Sequence, residues 1–199
     1  MKYLAVTLAA AAAILSPQAR AQSVPVEGNP KSAVRVIIYE DLQCPDCAVF
    51  RATLDDTLLP RFKSTVAFEH RDFPLAKHVW ARKAAIAARY FASVSPELSL
   101  EFRRTTMGHI QQIGKDGFDA HLETFAKAHK IDPAAVTGAL NDPKLAAAVQ
   151  SDFDDGVARG IAHTPTVFVD GEPFIETFPV EDVVKSIERA LKAASEPRI

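Results

Sequence analysis

The sequence of 199 residues contains only two cysteines, Cys44 and Cys47. A small exported protein that depends on disulfide bonds for its stability usually carries several, well separated along the chain. These two stand at C-x-x-C spacing, and closing so short a loop removes little conformational entropy from the unfolded chain. The scarcity of cysteine therefore argues against a disulfide-stabilised scaffold and directs attention to the chemistry of the pair.

The chain also lacks a large charge of either sign, since its formal net charge is −2 at pH 7. Removal of residues 1–21, which contain Lys2, Arg20 and no acid, takes away two positive charges and leaves −4. A domain that binds nucleic acid is usually strongly basic. We therefore expect no nucleic acid among the partners of this protein.

The apolar run near the N-terminus is too short to span a bilayer. It extends from Leu4 to Leu15 and is apolar except for Thr7, whereas a spanning helix needs about 20 such residues. Lys2 precedes the run and Ala19-Arg20-Ala21 follows it, which is the pattern of a secretory signal peptide with its cleavage site. We predict that residues 1–21 are a signal peptide and that the mature protein is periplasmic or secreted; a retained N-terminal anchor is the alternative.

The segment around the cysteines has the pattern of a β-α-β unit. Residues 22–33 contain prolines and a glycine and are predicted to be an extended lead-in. Apolar and alternating runs predict strands at Val34–Tyr39 and Thr65–Arg71, and helical spacing predicts a helix from Pro45 to Phe62 between them. The inner face of this helix is expected to contain Val49, Leu54 and Leu58.

Residues 77–160 have helical periodicity throughout. The pairs Asp132-Pro133 and Asp142-Pro143 are typical helix starts, with an N-cap followed by proline in the first turn. Gly160 is a typical helix end. Two apolar stripes are predicted to face inward, with Arg82 and Arg89 on a different face; the stripes are Trp80, Ala84, Ala87 and Phe91, and Leu145, Val149, Phe153 and Val157.

After Gly160 the pattern changes to two short strands and a helix. Thr166–Val169 and Pro173–Glu176 are predicted strands, and Asp170-Gly171 between them is a favoured hairpin turn. A last helix is predicted from Val180 to Ala194. The element order is thus β-α-β, a block of helices, and β-β-α.

The two thiols stand where the first predicted strand meets the start of a helix. The N–H groups at a helix start are unpaired and carry partial positive charge, which stabilises an anion. A thiolate is the reactive form of cysteine. We therefore expect Cys44 to be the exposed nucleophile and Cys47, one turn further into the helix, to be the buried resolving thiol.

Three motifs in the sequence resemble those of the DsbA-like branch of the thioredoxin family. The pattern Phe/Tyr-x-Asp-x-x-Cys-Pro-x-Cys is met by Tyr39, Asp41, Cys44, Pro45 and Cys47. A Phe-Pro-Leu segment followed by histidine is met by Phe73, Pro74, Leu75 and His78. The Gly-Ile/Val-x-x-Thr-Pro-Thr segment is met by Gly160, Ile161, Thr164, Pro165 and Thr166.

The resemblance covers essentially the whole mature chain and implies an α/β thioredoxin fold with an inserted all-helical subdomain. The β-α-β and β-β-α halves, residues 34–76 and 161–199, would form the thioredoxin-like domain, with residues 77–160 as the helical insertion. It also implies that Pro165 is a cis proline facing the cysteines, with the backbone of Thr164 free to pair with an extended substrate. A cis X-Pro bond is a minority state that folds retain for a purpose.

The activity that the resemblance implies is thiol:disulfide exchange, with the Cys44–Cys47 disulfide as the redox group and no other cofactor. The partners would be exported proteins with thiols or disulfides and a membrane redox partner that resets the pair. We favour a dithiol oxidase, because residues 22–33 leave no room for the N-terminal dimerisation domain of periplasmic isomerases. A disulfide reductase or isomerase is the alternative.

Three positions depart from the family pattern, namely Asp46, Ile38 and His163. The residues predicted to modulate the site are Pro45, in the first turn of the helix, Asp46, Glu40 and His163. Asp46 replaces the histidine of the strongly oxidising members, and its charge should raise the pKa of Cys44; alternatively it points to solvent. Ile38 stands at the position of a buried family acid, and Glu40 and Asp41 are the nearer acids that could shuttle the proton of Cys47. The alternative for either is a solvated loop acid or a helix cap, which we favour for Asp41. His163 could stabilise the Cys44 thiolate or could be a solvated loop histidine.

Two other classes of function are weighed against an oxidoreductase. Two thiols and His163 could bind Cu(I) or Zn(II), but a closed zinc site needs about four ligands and the chain has no second C-x-x-C. We therefore predict no metal site and keep a copper-handling thiol protein as the weaker alternative. A binding or chaperone module with an idle disulfide is the third class.

Overall fold

A computed structural model describes residues 24–196, apart from the side chains at 115 and 116. The predicted signal peptide, residues 1–21, lies outside the described residues, as do positions 22–23 and 197–199. Within the described residues no helix is both long enough and apolar enough to cross a membrane.

A five-stranded mixed sheet forms the centre of the molecule. The strands are β1 (Val26–Gly28), β2 (Arg35–Glu40), β3 (Ala67–Asp72), β4 (Thr166–Val169) and β5 (Glu172–Ile175). They lie in the order β1-β3-β2-β4-β5. The central strand β2 pairs parallel with β3 and antiparallel with β4, and the two edge strands pair antiparallel with their neighbours. Because β2 and β3 are parallel, their C-terminal residues, Glu40 and Asp72, lie side by side at the same end of the sheet.

The sequence did not predict strand β1, which lies within the expected lead-in. Its three residues contain Glu27 and Gly28 and show no alternation that would mark a strand. The strand is held by its antiparallel pairing with β3 and by charge, because Glu27 contacts Arg51 on the first helix and His70 on β3. Long-range pairing of this kind leaves no trace in local sequence pattern.

The predicted first helix is interrupted by a π-helical turn. Helix α1 (Pro45–Thr53) continues through Leu54–Leu58, where the N–H of Leu59 bonds the carbonyl of Leu54, into the short helix α2 (Leu59–Phe62). Pro60 explains the turn, because it has no N–H and its ring crowds the carbonyl four residues earlier. The wider turn lets the chain stay helical to Phe62.

Val49 does not lie on the inner face of this helix as predicted. It is 68% exposed, whereas Cys47, Phe50 and Leu54 are buried. The buried side is therefore set by the spacing 47, 50, 54. Leu54 and Leu58 are buried as expected, in the core between the sheet, the first helix and α9 (Val180–Ser195).

Six helices lie between β3 and β4. They are α3 (Ala81–Val94), α4 (Pro96–Gly108), α5 (Ile110–Asp116), α6 (Phe118–Ala128), α7 (Pro133–Ala139) and α8 (Pro143–Ala158). The predicted N-caps are confirmed, since the carboxylates of Asp132 and Asp142 accept hydrogen bonds from the N–H groups of Ala134 and Lys144. Gly160 ends α8 with a φ of +79°. The N–H groups of Gly160 and Ile161 bond the carbonyls of Val157 and Gly156, as in a Schellman motif.

One predicted inward position on these helices is wrong, and one buried side chain was not predicted. Val157 is 53% exposed, because the buried positions of α8 after Val149 are Asp152 and Gly156. Arg89 is only 1% exposed, since its guanidinium bonds Asp72 on β3 and Asp152 on α8. A buried arginine in an ion pair cannot be distinguished by periodicity from a solvated one.

Gly156 allows α8 to lie directly against the aromatic side chains at the end of the sheet. A Cβ atom at this position would be 2.6 Å from a ring carbon of Phe73 and 3.2 Å from one of Tyr39. Tyr39, Phe73 and Ile161 form one buried cluster here. The close approach of helix and sheet therefore depends on the missing side chain.

We expect Gly156→Ala to lower the free energy of unfolding by about 1–2 kcal/mol, because overpacking costs about 1–3 kcal/mol and alanine regains up to about 1 kcal/mol of helix propensity. Gly138→Ala, in helix α7 with no atom within 4 Å of the added Cβ, is the control and should stabilise slightly. Chemical denaturation measures both. Equal stabilisation by the two substitutions would contradict the packing argument.

Candidate active site

Cys44 is the N-cap residue of α1, and Pro45 occupies the first helical position. The N–H of Cys44 bonds the carbonyl of Asp41 at 3.0 Å, and the carbonyl of Cys44 accepts the N–H of Ala48 at 3.1 Å. Both cysteines are free thiols in the structure. The prediction that the pair begins a helix directly after a strand and a short loop is confirmed.

The loop before Cys44 is fixed by the carboxylate of Asp41. One oxygen accepts the N–H of Gln43 at 2.7 Å, and the other accepts the N–H of Leu75 at 2.8 Å and lies 2.7 Å from Nδ1 of His78. Asp41 is 1% exposed and is therefore neither a solvated acid nor the cap of α1. It joins the cysteine loop to the Phe-Pro-Leu segment and His78, which explains why these two motifs occur together.

The peptide bond between Thr164 and Pro165 is cis, as the resemblance implied. This loop lies against the first cysteine, because the thiol of Cys44 donates a hydrogen bond to the carbonyl oxygen of Thr164 at 3.3 Å. The far side of the loop is fixed to β5, since the N–H of Glu176 bonds the carbonyl of Pro165 at 2.8 Å. The side chain of Thr164 is buried, at 2% exposure.

Cys44 is less exposed than predicted, at 4%. The cis-proline loop covers its sulfur on one side. On another side, Cys44 and Cys47 belong to a buried cluster with Leu42, Trp80 and aromatic residues of the helical insertion. The insertion therefore supplies one wall of the site.

The pKa of the Cys44 thiol is lowered to about 6. The hydrogen bond from the Cys47 thiol is the largest cause; burial opposes it, and the Thr164 side chain and the backbone N–H groups of Cys47 and Asp46 add to the lowering. Each of these donors stabilises the thiolate more than the thiol. At neutral pH Cys44 is therefore mostly ionised.

The pKa of the Cys47 thiol moves the opposite way, well above its ordinary value. Burial is the main cause, followed by the hydrogen bond and charge of Cys44, and the carboxylate of Glu40 also raises it. The N–H of Asp41, 3.4 Å from the sulfur, opposes the shift. The two thiols are thus clearly unequal, and Cys44 is the one whose thiolate is favoured.

The model of a family described as thioredoxin matches residues 21–189. The chain belongs to this family. Among curated proteins, disulfide bond formation protein D of Bacillus subtilis is 22% identical over 182 residues, which cover 89% of this chain and 82% of that protein.

Solved structures support the DsbA-like form of the fold. Wolbachia pipientis alpha-DsbA1 superposes with a TM-score of 0.76 at 17% identity, over 90% of this chain and 98% of that one. Oxidised BdbD of Bacillus subtilis superposes with a TM-score of 0.74 at 23% identity, over 85% and 93% of the two chains. The predicted α/β thioredoxin fold with a helical insertion is confirmed.

The side chain of Asp46 is exposed, as in the alternative that it points to solvent, and its backbone N–H lowers the pKa of Cys44. The net shift of Cys44 is downward, and the carboxylate of Asp46 is not among the main causes of the shift. The physical reason is that the carboxylate is in water, where charge is screened, whereas the N–H groups of the first turn contact the sulfur.

Glu40 is placed near Cys47 but is not suited to shuttle its proton. The carboxylate is 4% exposed, and one oxygen lies 3.1 Å from Nδ1 of His70 and 3.0 Å from Nη1 of Arg103. His70 and Arg103 hold the pKa of Glu40 below its ordinary value against the effect of burial. A carboxylate held in this way is a poor proton acceptor.

His163 is an exposed loop residue, as in the second of the two alternatives. Its Nδ1 lies 2.8 Å from Oε1 of Glu176, which is also exposed. Its carbonyl accepts the hydroxyl of Thr166 at 2.7 Å. His163 therefore contacts both sides of the cis-proline loop through its backbone carbonyl and through its ring, which lies beside Glu176 and makes no hydrogen bond to Cys44.

A set of buried charges behind the thiols was missed by the sequence reasoning. It joins the ends of β2 and β3 to the helical insertion and consists of Glu40, His70, Asp72, Arg89, Arg103 and Asp152. The sequence feature that could have predicted this set is the pair of acids, Glu40 and Asp72, at the ends of two neighbouring strands. Burial of such acids requires partners of opposite charge. Within the described residues no group of three or more possible ligands is arranged to hold a metal ion.

We expect the rate at which iodoacetamide alkylates Cys44 in the reduced protein to follow the thiolate fraction, with a midpoint near pH 6. Below the midpoint the rate should fall about tenfold per pH unit, because only the thiolate reacts. Mass spectrometry should find Cys47 unmodified, and Cys44→Ser should remove the fast reaction. A midpoint near the ordinary thiol value of about 8.5 would contradict this account.

Proposed function

We propose that this protein is an exported thiol:disulfide oxidoreductase that works as a dithiol oxidase of other exported proteins. The enzyme class agrees with the names of its relatives, which include a disulfide bond formation protein. The observation that carries the proposal is the inequality of the two thiols, with the pKa of Cys44 lowered to about 6 and that of Cys47 raised. An oxidase needs a reduced form that is stable, and a stabilised thiolate at Cys44 supplies this.

The reaction starts from the Cys44–Cys47 disulfide. A thiolate of the substrate attacks Sγ of Cys44, the bond between the two cysteines breaks, and Cys47 leaves and takes up a proton. The second substrate thiolate attacks the substrate sulfur of the mixed disulfide, and Cys44 leaves as a thiolate. The substrate dithiol has lost two electrons, which reside in the reduced pair Cys44 and Cys47.

The cis-proline loop is suited to bind the substrate in an extended form. In the structure the Cys44 thiol donates to the carbonyl oxygen of Thr164. A thiolate or a disulfide sulfur has no proton to donate, so this carbonyl becomes available to a substrate N–H in those states. Pro165 has no N–H that would compete with a substrate strand. Thr164 and Pro165 are thus the proposed substrate-binding residues.

The reduced pair must be reoxidised by a second protein for each cycle. A membrane redox partner is the source that we propose, acting on an enzyme that its signal peptide sends to the periplasm or the exterior. An exported setting suits the activity, because disulfides form and persist in oxidising compartments. Disulfide reduction or isomerisation by the same pair is the alternative.

The redox potential of the pair distinguishes these directions. A pKa of about 6 for Cys44 lies between the values of about 7 for thioredoxin and about 3.5 for DsbA. We therefore expect equilibration with glutathione to give a potential between about −270 and about −120 mV, the values of those two proteins. The protein should be a milder oxidant than DsbA.

The control for this measurement is Cys44→Ser, which should abolish both glutathione exchange and oxidation of a reduced model substrate. Retained activity in that variant would favour a binding module with an idle disulfide. A potential at or below that of thioredoxin would contradict the oxidase and favour a reductase.

A further inference from the structure

The carboxylate of Glu40 lies at the end of β2, directly before the cysteine loop and opposite Asp72 at the end of β3. It is 4% exposed. Two side chains contact it, His70 from β3 at 3.1 Å and Arg103 from α4 at 3.0 Å. Arg51 on α1 acts on it through charge without a hydrogen bond. The charge of Glu40 is therefore balanced by three different elements of the fold.

Arg103 is the only one of these contacts that comes from the helical insertion. Its side chain is 1% exposed and bridges two acids, Glu40 on β2 and Asp72 on β3. Its Nε atom is buried and has no hydrogen-bond partner within the described residues. A buried arginine with an unsatisfied N–H lowers the stability of the fold. A contact that served only to join the insertion to the sheet would not need such a group.

Glu40 is close enough to the thiols for its charge to affect them. The N–H of the next residue, Asp41, lies 3.4 Å from Sγ of Cys47. The carboxylate of Glu40 is among the groups that raise the pKa of Cys47. The Cys47 thiol in turn hydrogen-bonds the sulfur of Cys44, so the charge of Glu40 also lies near the Cys44 thiolate of the reduced pair.

We propose that Arg103 of the helical insertion is a positioning residue that sets the redox equilibrium of the Cys44–Cys47 pair, by holding and neutralising the carboxylate of Glu40. This inference rests on the proposed thiol:disulfide exchange. The helical insertion would then act on the reaction through the charge of Arg103, in addition to packing beside the cysteines.

The effect has a defined direction. Without the guanidinium of Arg103, the charge of Glu40 is less compensated and opposes a thiolate at the site more strongly. The reduced form is then less stable and the pair is a weaker oxidant. Removal of the Glu40 charge itself should have the opposite effect.

The experiment is a double-mutant cycle with glutathione equilibration as the measurement. Two enzyme thiols give two electrons and two protons to glutathione disulfide, which becomes two glutathione molecules. The variants are Arg103→Met, Glu40→Gln, the double variant and Arg103→Lys, which keeps the charge. Arg82→Met is the matched control, since Arg82 is an exposed arginine of the insertion that bonds Gln150 and not Glu40.

We expect Arg103→Met to shift the equilibrium constant about tenfold toward the oxidised enzyme, which is about 30 mV for this two-electron couple. Glu40→Gln should shift it the other way. In the Glu40→Gln background, Arg103→Met should have an effect of less than about twofold, because the charge on which it acts is absent. Arg103→Lys should restore most of the wild-type value, and Arg82→Met should equal the wild type.

An equal shift by Arg103→Met in both backgrounds would overturn the inference and show a structural effect. So would a Glu40→Gln variant with the wild-type equilibrium constant, a result that remains informative if Arg103→Met does not fold. A wild-type protein that fails to exchange with glutathione would instead contradict the proposed function. The two failures are therefore distinguishable.

Discussion

The Cys47 thiol donates a hydrogen bond to the sulfur of Cys44, and this contact is the largest reason that the pKa of Cys44 falls. The same bond raises the pKa of Cys47, so the negative charge is confined to one sulfur. The first turn of α1 supports this arrangement with its free N–H groups. Division of the pair into a nucleophile and a protonated partner is the condition on which the proposed chemistry depends.

The rest of the fold holds this pair in place from three directions. Asp41 fixes the loop before Cys44 to the segment after β3. The cis-proline loop covers the sulfur and is itself fixed to β5. The helical insertion contributes an apolar wall and two buried arginines, Arg89 and Arg103. Each of these contacts joins a different part of the sequence to the same short stretch around Cys44.

The buried ion pairs behind the cysteines do not by themselves show that this part of the fold is more stable. Desolvation of two charges can cost as much as their attraction returns, although removal of one partner is strongly destabilising. Glu40, Asp72 and Asp152 are each paired with at least one arginine. Such a network makes the position of the insertion relative to the sheet specific, because any slip would leave a buried charge unpaired.

Much of this fold could be predicted from the sequence, because local signals were strong. Asp132 and Asp142 begin helices where they were expected, and Asp170 and Gly171 both have positive φ, as a type I′ hairpin turn requires. The cysteine motif and the segment with Thr164 and Pro165 could be recognised as two walls of one site because they occur together.

What could not be predicted depends on contacts between distant residues. Strand β1 is held by its pairing with β3 and by the contacts of Glu27 with Arg51 and His70, and no local pattern records those contacts. Arg89 and Arg103 are buried because they meet acids from the strand ends, whereas helical periodicity treats any arginine as a surface residue. The choice between the two alternatives for Asp46 could not be made for the same reason, since the exposure of a side chain in the first turn depends on what packs beside it.

Trapping of the mixed disulfide tests the central claim most directly. A Cys47→Ser variant retains the nucleophile and lacks the resolving thiol, so it should accumulate disulfide-linked complexes with exported proteins through Cys44, detectable by mass spectrometry after acid quenching. Cys44→Ser, in which the remaining thiol has a raised pKa and is buried, should trap none. Complexes formed through Cys47 in the Cys44→Ser variant, or none through Cys44 in the Cys47→Ser variant, would contradict the assignment of the two thiols.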